Sequence, residues 1–228
     1  MMFLSVIIPA YNEEKTIEKT LNKIIQYLSS KDFEYEIIVV NDGSKDRIID
    51  ICYLFPVRVI SLERNQGKGA AVQRGVQESE GEWVLFLDAD YSTHIDELDN
   101  FMLHINDYDI LIGSRAISGA HIHKRQSIFR VIMGKSGNLL IRLLMKTNIH
   151  DTQCGFKLFN RRALSIFSLM TIKHWGFDFE LLYLAKKSNF KVKELPVHWQ
   201  NNSNSTLKLF DYLVTLKDLI RILFIHRY

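Results

Sequence analysis

Short apolar runs alternate with segments of helical periodicity through the first half of the chain, and this alternation constrains the fold more than any other feature. The runs occupy residues 3–9, 36–40, 58–62, 82–87 and 109–113. Unbroken apolar runs of this length are typical of strands buried on both faces. Between the first two runs, apolar residues recur at helical spacing, at Ile17, Leu21, Ile24, Ile25 and Leu28. Strands that alternate with helices form βαβ units, so the sequence predicts an α/β fold with a mostly parallel sheet flanked by helices.

The second half is less regular, with predicted helices over residues 125–146, 177–187 and 206–226 and predicted strands over 151–159 and 191–199. The first and last of these helices mix leucine, isoleucine, methionine and phenylalanine with lysine and arginine. This mixture is typical of C-terminal amphipathic helices at a membrane surface, and equally of helices packed on a sheet with their basic residues outward. No run reaches the ~18 continuous apolar residues that predict a membrane span.

Composition places the chain among ordinary globular proteins, since 47% of its 228 residues are hydrophobic and 24% are charged. The net charge of +3 is compatible with an anionic ligand or a membrane surface. Lysine and arginine do not cluster densely enough to predict a nucleic-acid partner. Cys52 and Cys154 are too few for a disulfide framework, which predicts a reduced, cytosolic environment. Because no linker or repeat interrupts it, we expect residues 1–228 to form one domain.

Polar, turn-forming sequence follows three of the predicted strands, at residues 10–13, 41–44 and 88–90. In open parallel sheets, ligands bind at the carboxyl ends of the strands, so these three segments should converge on one crevice. Each segment also has a purely structural interpretation. Asn12 could cap the following helix, and Asp42 with Gly43 could form a turn.

Asp88 and Asp90 lie one residue apart directly after an apolar run. Two carboxylates so close repel each other unless a cation lies between them or solvent separates them. Hard divalent cations prefer oxygen ligands and are often coordinated by carboxylates and phosphates together. The pair therefore predicts a cation site on a phosphate-bearing substrate, and the alternative is an exposed acidic turn.

Two common nucleotide-binding motifs are excluded around Lys68. The dinucleotide fingerprint requires a third glycine where this chain has Val72, and it belongs on the first strand. A P-loop requires a Gly-Lys-Ser/Thr sequence, but Gly69 follows Lys68.

The ordered motifs resemble those of the family 2 glycosyltransferases, which have the GT-A fold. The matching segments are residues 6–14 (VIIPAYNEE), 39–44 (VVNDGS), 65–69 (NQGKG) and 88–90 (DAD). In the second half, the matching segments resemble the dolichyl-phosphate β-glucosyltransferases and, more widely, the polyprenyl-phosphate glycosyltransferases. They are residues 113–115 (GSR), 151–157 (DTQCGFK), 175–182 (WGFDFELL) and the ending from residue 217 to 228.

The resemblance implies a donor site in residues 1–115, the nucleotide-sugar-binding half. It implies that the nucleoside is held by Pro9, Ala10, Tyr11, Glu13 and Asp42. Lys68 would lie near the donor, and Asp88 and Asp90 would hold Mg²⁺ or Mn²⁺ on its diphosphate. Asp90 would thereby be catalytic.

The resemblance also implies an acceptor site in residues 116–228, reached by arginines that would face an acceptor phosphate. The arginines are Arg115 and Arg130. Paired arginines have this role in the related dolichyl-phosphate mannose synthases, where a serine often stands four residues after the second arginine and this chain has Gly134. The expected reaction is inverting transfer of glucose from UDP-glucose to a polyprenyl phosphate, by an enzyme bound peripherally to the cytosolic face of a membrane.

The nature of the acceptor decides whether a general base is needed. A phosphate monoester is already largely ionised at neutral pH, whereas a sugar hydroxyl must lose a proton. For a hydroxyl acceptor on a saccharide or protein, the candidate bases are Asp151, Asp178 and Glu180, of which the last two should point to different faces of one helix. A third possibility is an inactive nucleotide-sugar-binding protein. His121 and His123 are expected in a mobile acceptor loop.

Overall fold

A computed structural model describes residues 3–123, 128–200 and 209–226. It contains a seven-stranded sheet in the order β3-β2-β1-β4-β7-β5-β8 and a two-stranded sheet formed by β6 and β9. The strands are β1 (Phe3–Ala10), β2 (Glu34–Asn41), β3 (Arg58–Ser61), β4 (Trp83–Leu87), β5 (Ile110–Ser114), β6 (His121–His123), β7 (Phe156–Asn160), β8 (Val192–Pro196) and β9 (His198–Gln200). Only β7 runs antiparallel to its neighbours, β4 and β5, in the larger sheet. The predicted mostly parallel α/β architecture is confirmed.

The helices are α1 (Ile17–Leu28), α2 (Ile48–Cys52), α3 (Lys68–Glu78), α4 (Leu98–Met102), α5 (Ile128–Met145), α6 (Phe177–Lys187) and α7 (Leu209–Ile225). Two 3₁₀ segments accompany them, at Ile95–Glu97 and Arg161–Leu169. Of the α1 residues predicted from helical spacing, Ile17, Leu21, Ile24 and Leu28 are buried and Ile25 is partly buried. Burying such a side chain contributes about 1.5–3 kcal/mol, so this stripe fixes which face of α1 meets the sheet.

The larger sheet separates two apolar clusters. In β1, Leu4, Val6 and Ile8 face the cluster shared with α1, α2 and α4, whereas Ile7 faces the cluster shared with α3 and α6. Burial on both faces explains why this strand is an unbroken apolar run. A third cluster joins α5, α6 and α7 through Ile141, Met145, Ile172, Phe179, Leu219 and Ile222.

The register of the parallel strands brings their carboxyl ends together. Ala10 pairs with Asn41, which in turn pairs with Ser61. On the other side of β1, Ile7 pairs with Phe86, so the same register carried two residues further places Asp88 beside Pro9. The three polar segments predicted to converge therefore start at one edge of the sheet.

Two strand predictions in the second half are wrong in detail. The strand predicted over residues 151–159 begins only at Phe156. The single strand predicted over residues 191–199 is two strands, because the chain changes partners at Val197. Before this residue β8 pairs with β5, and after it β9 pairs with β6. Val197 is buried, and its N–H donates to the carbonyl of Ser114 at 3.1 Å.

Candidate active site

Hydrogen bonds join the loops that follow β1 and β2. The N–H of Asn12 donates to Ser44 Oγ at 2.9 Å, and Asn12 Oδ1 accepts from the N–H of Lys45 at 2.9 Å. Asn12 has a φ of +56°, a left-handed conformation that asparagine tolerates better than most residues. It does not cap α1, whose N-cap is Thr16. Its role is to fasten two strand-end loops to each other.

Asp42 holds the segment that leads into α3. One carboxylate oxygen accepts from the N–H of Gln66 at 2.7 Å and the other from the N–H of Gly67 at 2.8 Å. The residue is only 2% exposed, so both oxygens are committed to the protein. Gly67 has a φ of +103°, which requires glycine. Asp42 thus positions Lys68, the first residue of α3, and this buried bridge was not predicted.

Lys68 and Asp88 form an ion pair at the carboxyl edge of the sheet. The ammonium lies 2.5 Å from Asp88 Oδ1. Burial lowers the pKa of Lys68, but the charges of Asp88 and Asp178 outweigh it and leave the pKa above its ordinary value. Lys68 therefore supplies a positive charge at neutral pH where the sequence predicts a phosphate-bearing donor.

The loop carrying Asp88 and Asp90 is fixed on both sides. Ala89 accepts a 2.7 Å hydrogen bond from Thr20 Oγ1 of α1, and the Asp90 carboxylate accepts from the N–H and hydroxyl of Ser92 at 2.9 and 2.6 Å. Burial, and next the charge of Asp88, raise the pKa of Asp90. Burial likewise raises the pKa of Glu13, with further contributions from Asp90 and Asp88. Three carboxylates thus concentrate negative charge at one edge.

The donor set at this edge fits Mg²⁺ or Mn²⁺ bound together with a diphosphate. Within residues 3–123, 128–200 and 209–226, no three His, Cys, Asp or Glu side chains are grouped to hold a metal unaided. Mg²⁺ in nucleotide sites is typically bound by one or two carboxylates plus substrate phosphates. Asp88 and Asp90 supply the two carboxylates, and their mutual repulsion is what a cation would relieve.

The predicted nucleoside contacts differ in exposure. Pro9 and Ala10 are buried at the end of β1, whereas the Tyr11 side chain is 43% exposed. Glu13 is half-buried, and its carboxylate accepts a hydrogen bond from Thr16 Oγ1 at 2.5 Å. Of this group, Tyr11 presents the most surface to a ligand.

Arg115, predicted to face the acceptor phosphate, is paired with Asp151. Its Nε and Nη2 donate to the two carboxylate oxygens at 2.6 and 2.9 Å, and its backbone N–H donates to Oδ2 at 3.0 Å. The guanidinium carbon lies 5.3 Å from the centre of the Trp199 ring. Burial raises the pKa of Asp151, but the charge and hydrogen bonds of Arg115 outweigh it and hold the pKa below its ordinary value. Asp151 is thus a poor general base.

The other two candidate bases are also engaged, and on different sides of α6 as predicted. Asp178 forms a buried ion pair with Lys157. Glu180, fully buried, accepts hydrogen bonds from the backbone of Thr171 and Ile172 and lies 2.8 Å from His226 Nε2. Both carboxylates are thus engaged by partners inside the protein.

The remaining predicted residues lie in the second half. Arg130 belongs to α5, but its side chain is outside the described part of the structure, so its role stays a prediction. His121 and His123 lie in β6, not in the predicted loop. The His121 ring stacks on that of His198, with centroids 4.9 Å apart.

Comparison with known proteins identifies the family. The model of glycosyl transferase family 2 matches residues 5–167. The dolichyl-phosphate beta-glucosyltransferase of Dictyostelium discoideum is 36% identical over 243 residues, covering 98% of this chain and 74% of that protein. The human dolichyl-phosphate beta-glucosyltransferase is 37% identical over 238 residues, covering 95% of this chain and 74% of its own length. The enzyme of that name from Saccharomyces cerevisiae is 33% identical, with 96% and 73% covered.

Solved structures share the fold at lower identity. Glucosyl-3-phosphoglycerate synthase from Mycobacterium tuberculosis, in complex with Mn²⁺, UDP and phosphoglyceric acid, superposes with a TM-score of 0.74 at 20% identity, covering 97% of this chain and 77% of that chain. Its complex with Mg²⁺ and UDP gives a TM-score of 0.71 at 18% identity, with 97% and 78% covered. The chain therefore belongs to glycosyl transferase family 2 and is a glycosyltransferase of GT-A fold.

Proposed function

We propose that this enzyme transfers glucose from UDP-glucose to a polyprenyl phosphate, with inversion at the anomeric carbon. The observation that carries the proposal is the edge where Asp88, Asp90 and Lys68 meet, at the carboxyl ends of β1, β2 and β4. Curated relatives bear the name dolichyl-phosphate beta-glucosyltransferase, and structural neighbours bind UDP with Mn²⁺ or Mg²⁺. An acceptor phosphate oxygen attacks C1 of glucose while the bond from C1 to the UDP oxygen breaks.

The donor half positions the leaving group. Asp88 and Asp90 would hold the divalent cation, which supplies Lewis-acid stabilisation to the departing diphosphate. Lys68 adds a second positive charge at the same edge, where it compensates charge that grows as UDP leaves. Tyr11 presents an exposed ring at the end of β1 on which a base can stack. Asp42 supports the site indirectly, because it fixes the turn that places Lys68.

The state of the candidate bases favours a phosphate acceptor over a hydroxyl. Asp151, Asp178 and Glu180 are each held by strong internal partners. A phosphate monoester has a second pKa of about 6, so it is already a nucleophile at neutral pH and needs positive charge more than a base. We propose that Arg115 and Arg130 supply this charge. In Arg115, Nη1 is the guanidinium nitrogen that does not bind Asp151.

Exposed apolar side chains on α5 and α7 support contact with a membrane. They are Leu139, Leu140, Leu143, Leu144, Leu216, Ile220, Phe224 and Ile225, each at least 40% exposed. Exposed basic residues accompany them, among them Lys217 and Arg221. An apolar face bordered by basic residues is typical of helices that lie in a lipid interface. In the described part of the chain, the helices fall short of the length and hydropathy needed to span a bilayer. We therefore propose peripheral binding at the cytosolic face.

The test is transfer of radiolabelled glucose into an organic phase. Purified enzyme, Mn²⁺ and labelled UDP-glucose are incubated with or without polyprenyl phosphate. We expect extractable label only with the lipid, and its loss by a factor of 100 or more in Asp90→Ala, which removes a proposed cation ligand. Leu103→Ala, which alters an exposed residue just after α4, is the matched control and should retain turnover. Label that never enters the lipid, or Asp90→Ala at full turnover, would refute the proposal.

A further inference from the structure

Lys157 carries a full charge into the centre of the sheet. It lies in β7, between β4 and β5, and its side chain is 0% exposed. Its neighbours Phe156 and Leu158 face one apolar cluster and Phe159 the other, so Lys157 interrupts an otherwise apolar strand. Its ammonium pairs with the Asp178 carboxylate of α6 and donates to the carbonyl of Cys154 at 2.6 Å.

Such a pair is poorly explained by stability alone. Removing two charges from water is expensive, and replacing a buried ion pair with apolar residues of similar volume is often neutral or stabilising. A buried pair retained at such a cost suggests that its geometry serves another purpose.

Two contacts connect the pair to Asp88. The Cys154 carbonyl held by Lys157 immediately precedes Gly155, and a Cβ on residue 155 would overlap the Asp88 carboxylate. The backbone at this glycine thus packs directly against Asp88. On the other route, the Lys68 ammonium binds Asp88 Oδ1 and lies 5.9 Å from the ring centre of Phe177, the residue that immediately precedes Asp178.

We infer that Lys157 and Asp178 form a positioning pair, which holds Asp88 in the orientation required to bind the nucleotide diphosphate with its cation. The pair acts through the backbone at Gly155 on one side and through Lys68 on the other. The inference rests on the proposed donor site, and it assigns Asp178 a role other than general base.

The decisive variant removes both charges together. Lys157→Met alone would leave a buried, unpaired carboxylate, whereas Lys157→Met/Asp178→Leu leaves none. We expect the double variant to unfold within a few degrees of the wild type but to bind UDP with Mn²⁺ at least tenfold more weakly by calorimetry. KM for UDP-glucose should rise and KM for polyprenyl phosphate should not. Asp178→Asn keeps the shape but leaves the Lys157 ammonium buried without its carboxylate, so we expect it to lower both UDP affinity and Tm, whereas the double variant should lower UDP affinity alone.

A matched control neutralises an exposed ion pair. Lys31 and Asp99 lie 2.6 Å apart at the surface, and Lys31→Met/Asp99→Leu should bind UDP with Mn²⁺ as the wild type does. The inference is overturned if the buried double variant retains wild-type UDP affinity. It is also overturned if this variant fails to fold, because the pair would then be required for folding. A wild-type protein that binds UDP with Mn²⁺ but transfers no glucose to polyprenyl phosphate refutes the proposed function and leaves this comparison valid.

Discussion

Gly155→Ala is expected to damage the donor site while leaving the fold largely intact. The three atoms nearest to the added Cβ are Oδ2, Cγ and Oδ1 of Asp88, and they overlap it. To move Oδ2 from 2.0 Å to an ordinary contact distance of about 3.5 Å, the carboxylate must shift by about 1.5 Å, which breaks its 2.5 Å ion pair with Lys68. A misplacement of about 1 Å can cost roughly 100-fold in rate. We therefore expect kcat/KM to fall about 100-fold, which corresponds to about 2.7 kcal/mol of transition-state stabilisation.

Stability should respond much less. The Asp88 side chain is 34% exposed, so loss of its ion pair costs about 1 kcal/mol or less and lowers Tm by about 4 °C or less. The assay combines steady-state kinetics, titration of activity with Mn²⁺ and thermal unfolding. Gly137→Ala in α5 is the matched control, because nothing lies within 4 Å of the added methyl group. Wild-type kcat/KM and Mn²⁺ dependence in Gly155→Ala would refute the reasoning.

Three further predictions concern single side chains. Asp42→Ala leaves a buried N–H group at Gly67 and a partly buried one at Gln66 without their acceptor. We therefore expect a loss of about 2–4 kcal/mol and a fall in Tm of about 4–16 °C, measured by calorimetry, and an unchanged Tm would contradict it. Burial and the charge of Asp88 raise the pKa of Asp90. Without metal, the ionised Asp90 carboxylate therefore destabilises the folded state at neutral pH. This destabilisation disappears as the pH falls below the ordinary carboxyl pKa of about 4, where Asp90 is protonated in both the folded and the unfolded state. Asp90→Asn in EDTA should therefore raise Tm at pH 7 and not at pH 4, and equal Tm values at pH 7 would exclude this account. Leu143→Glu, at a position 66% exposed on α5, should weaken sedimentation with anionic vesicles about tenfold. The control Leu103→Glu, just after α4 on the other face of the large sheet, should not weaken it. An equal loss in both variants would contradict membrane binding through α5.

The sequence predicts those features of the fold that depend on neighbouring residues. The runs that became β1, β2 and β4 are apolar because both faces are buried, and that pattern is visible without coordinates. The antiparallel insertion of β7 between β4 and β5 is not, since strand order depends on contacts between distant segments. The division of residues 191–199 at Val197 was missed for the same reason, because both halves are strand-like and only their partners differ.

In the candidate site too, the sequence predicts what depends on neighbouring residues and misses what depends on contacts between distant segments. Polar sequence after apolar runs predicted the edge where Asp88 lies, since the carboxyl ends of parallel strands converge. Which charges pair was beyond prediction, because Arg115 and Asp151 are 36 positions apart and Lys157 and Asp178 are 21 apart. A lysine inside a predicted buried strand was nevertheless a signal, since a buried lysine requires a partner.

The loop of Asp88 to Asp90 is also where the two helical layers of the enzyme meet. Thr20 of α1 holds Ala89 from one face of the sheet, and Lys68 of α3 holds Asp88 from the other. A nucleotide sugar bound here would therefore contact the loop that both helical layers hold in place. Its binding free energy would add to the free energy of unfolding of the protein. At a donor concentration of 100 times Kd this linkage amounts to about 2.7 kcal/mol. The cellular concentration of the nucleotide sugar would thus affect the rate at which the enzyme is degraded by proteolysis, in addition to its rate of turnover.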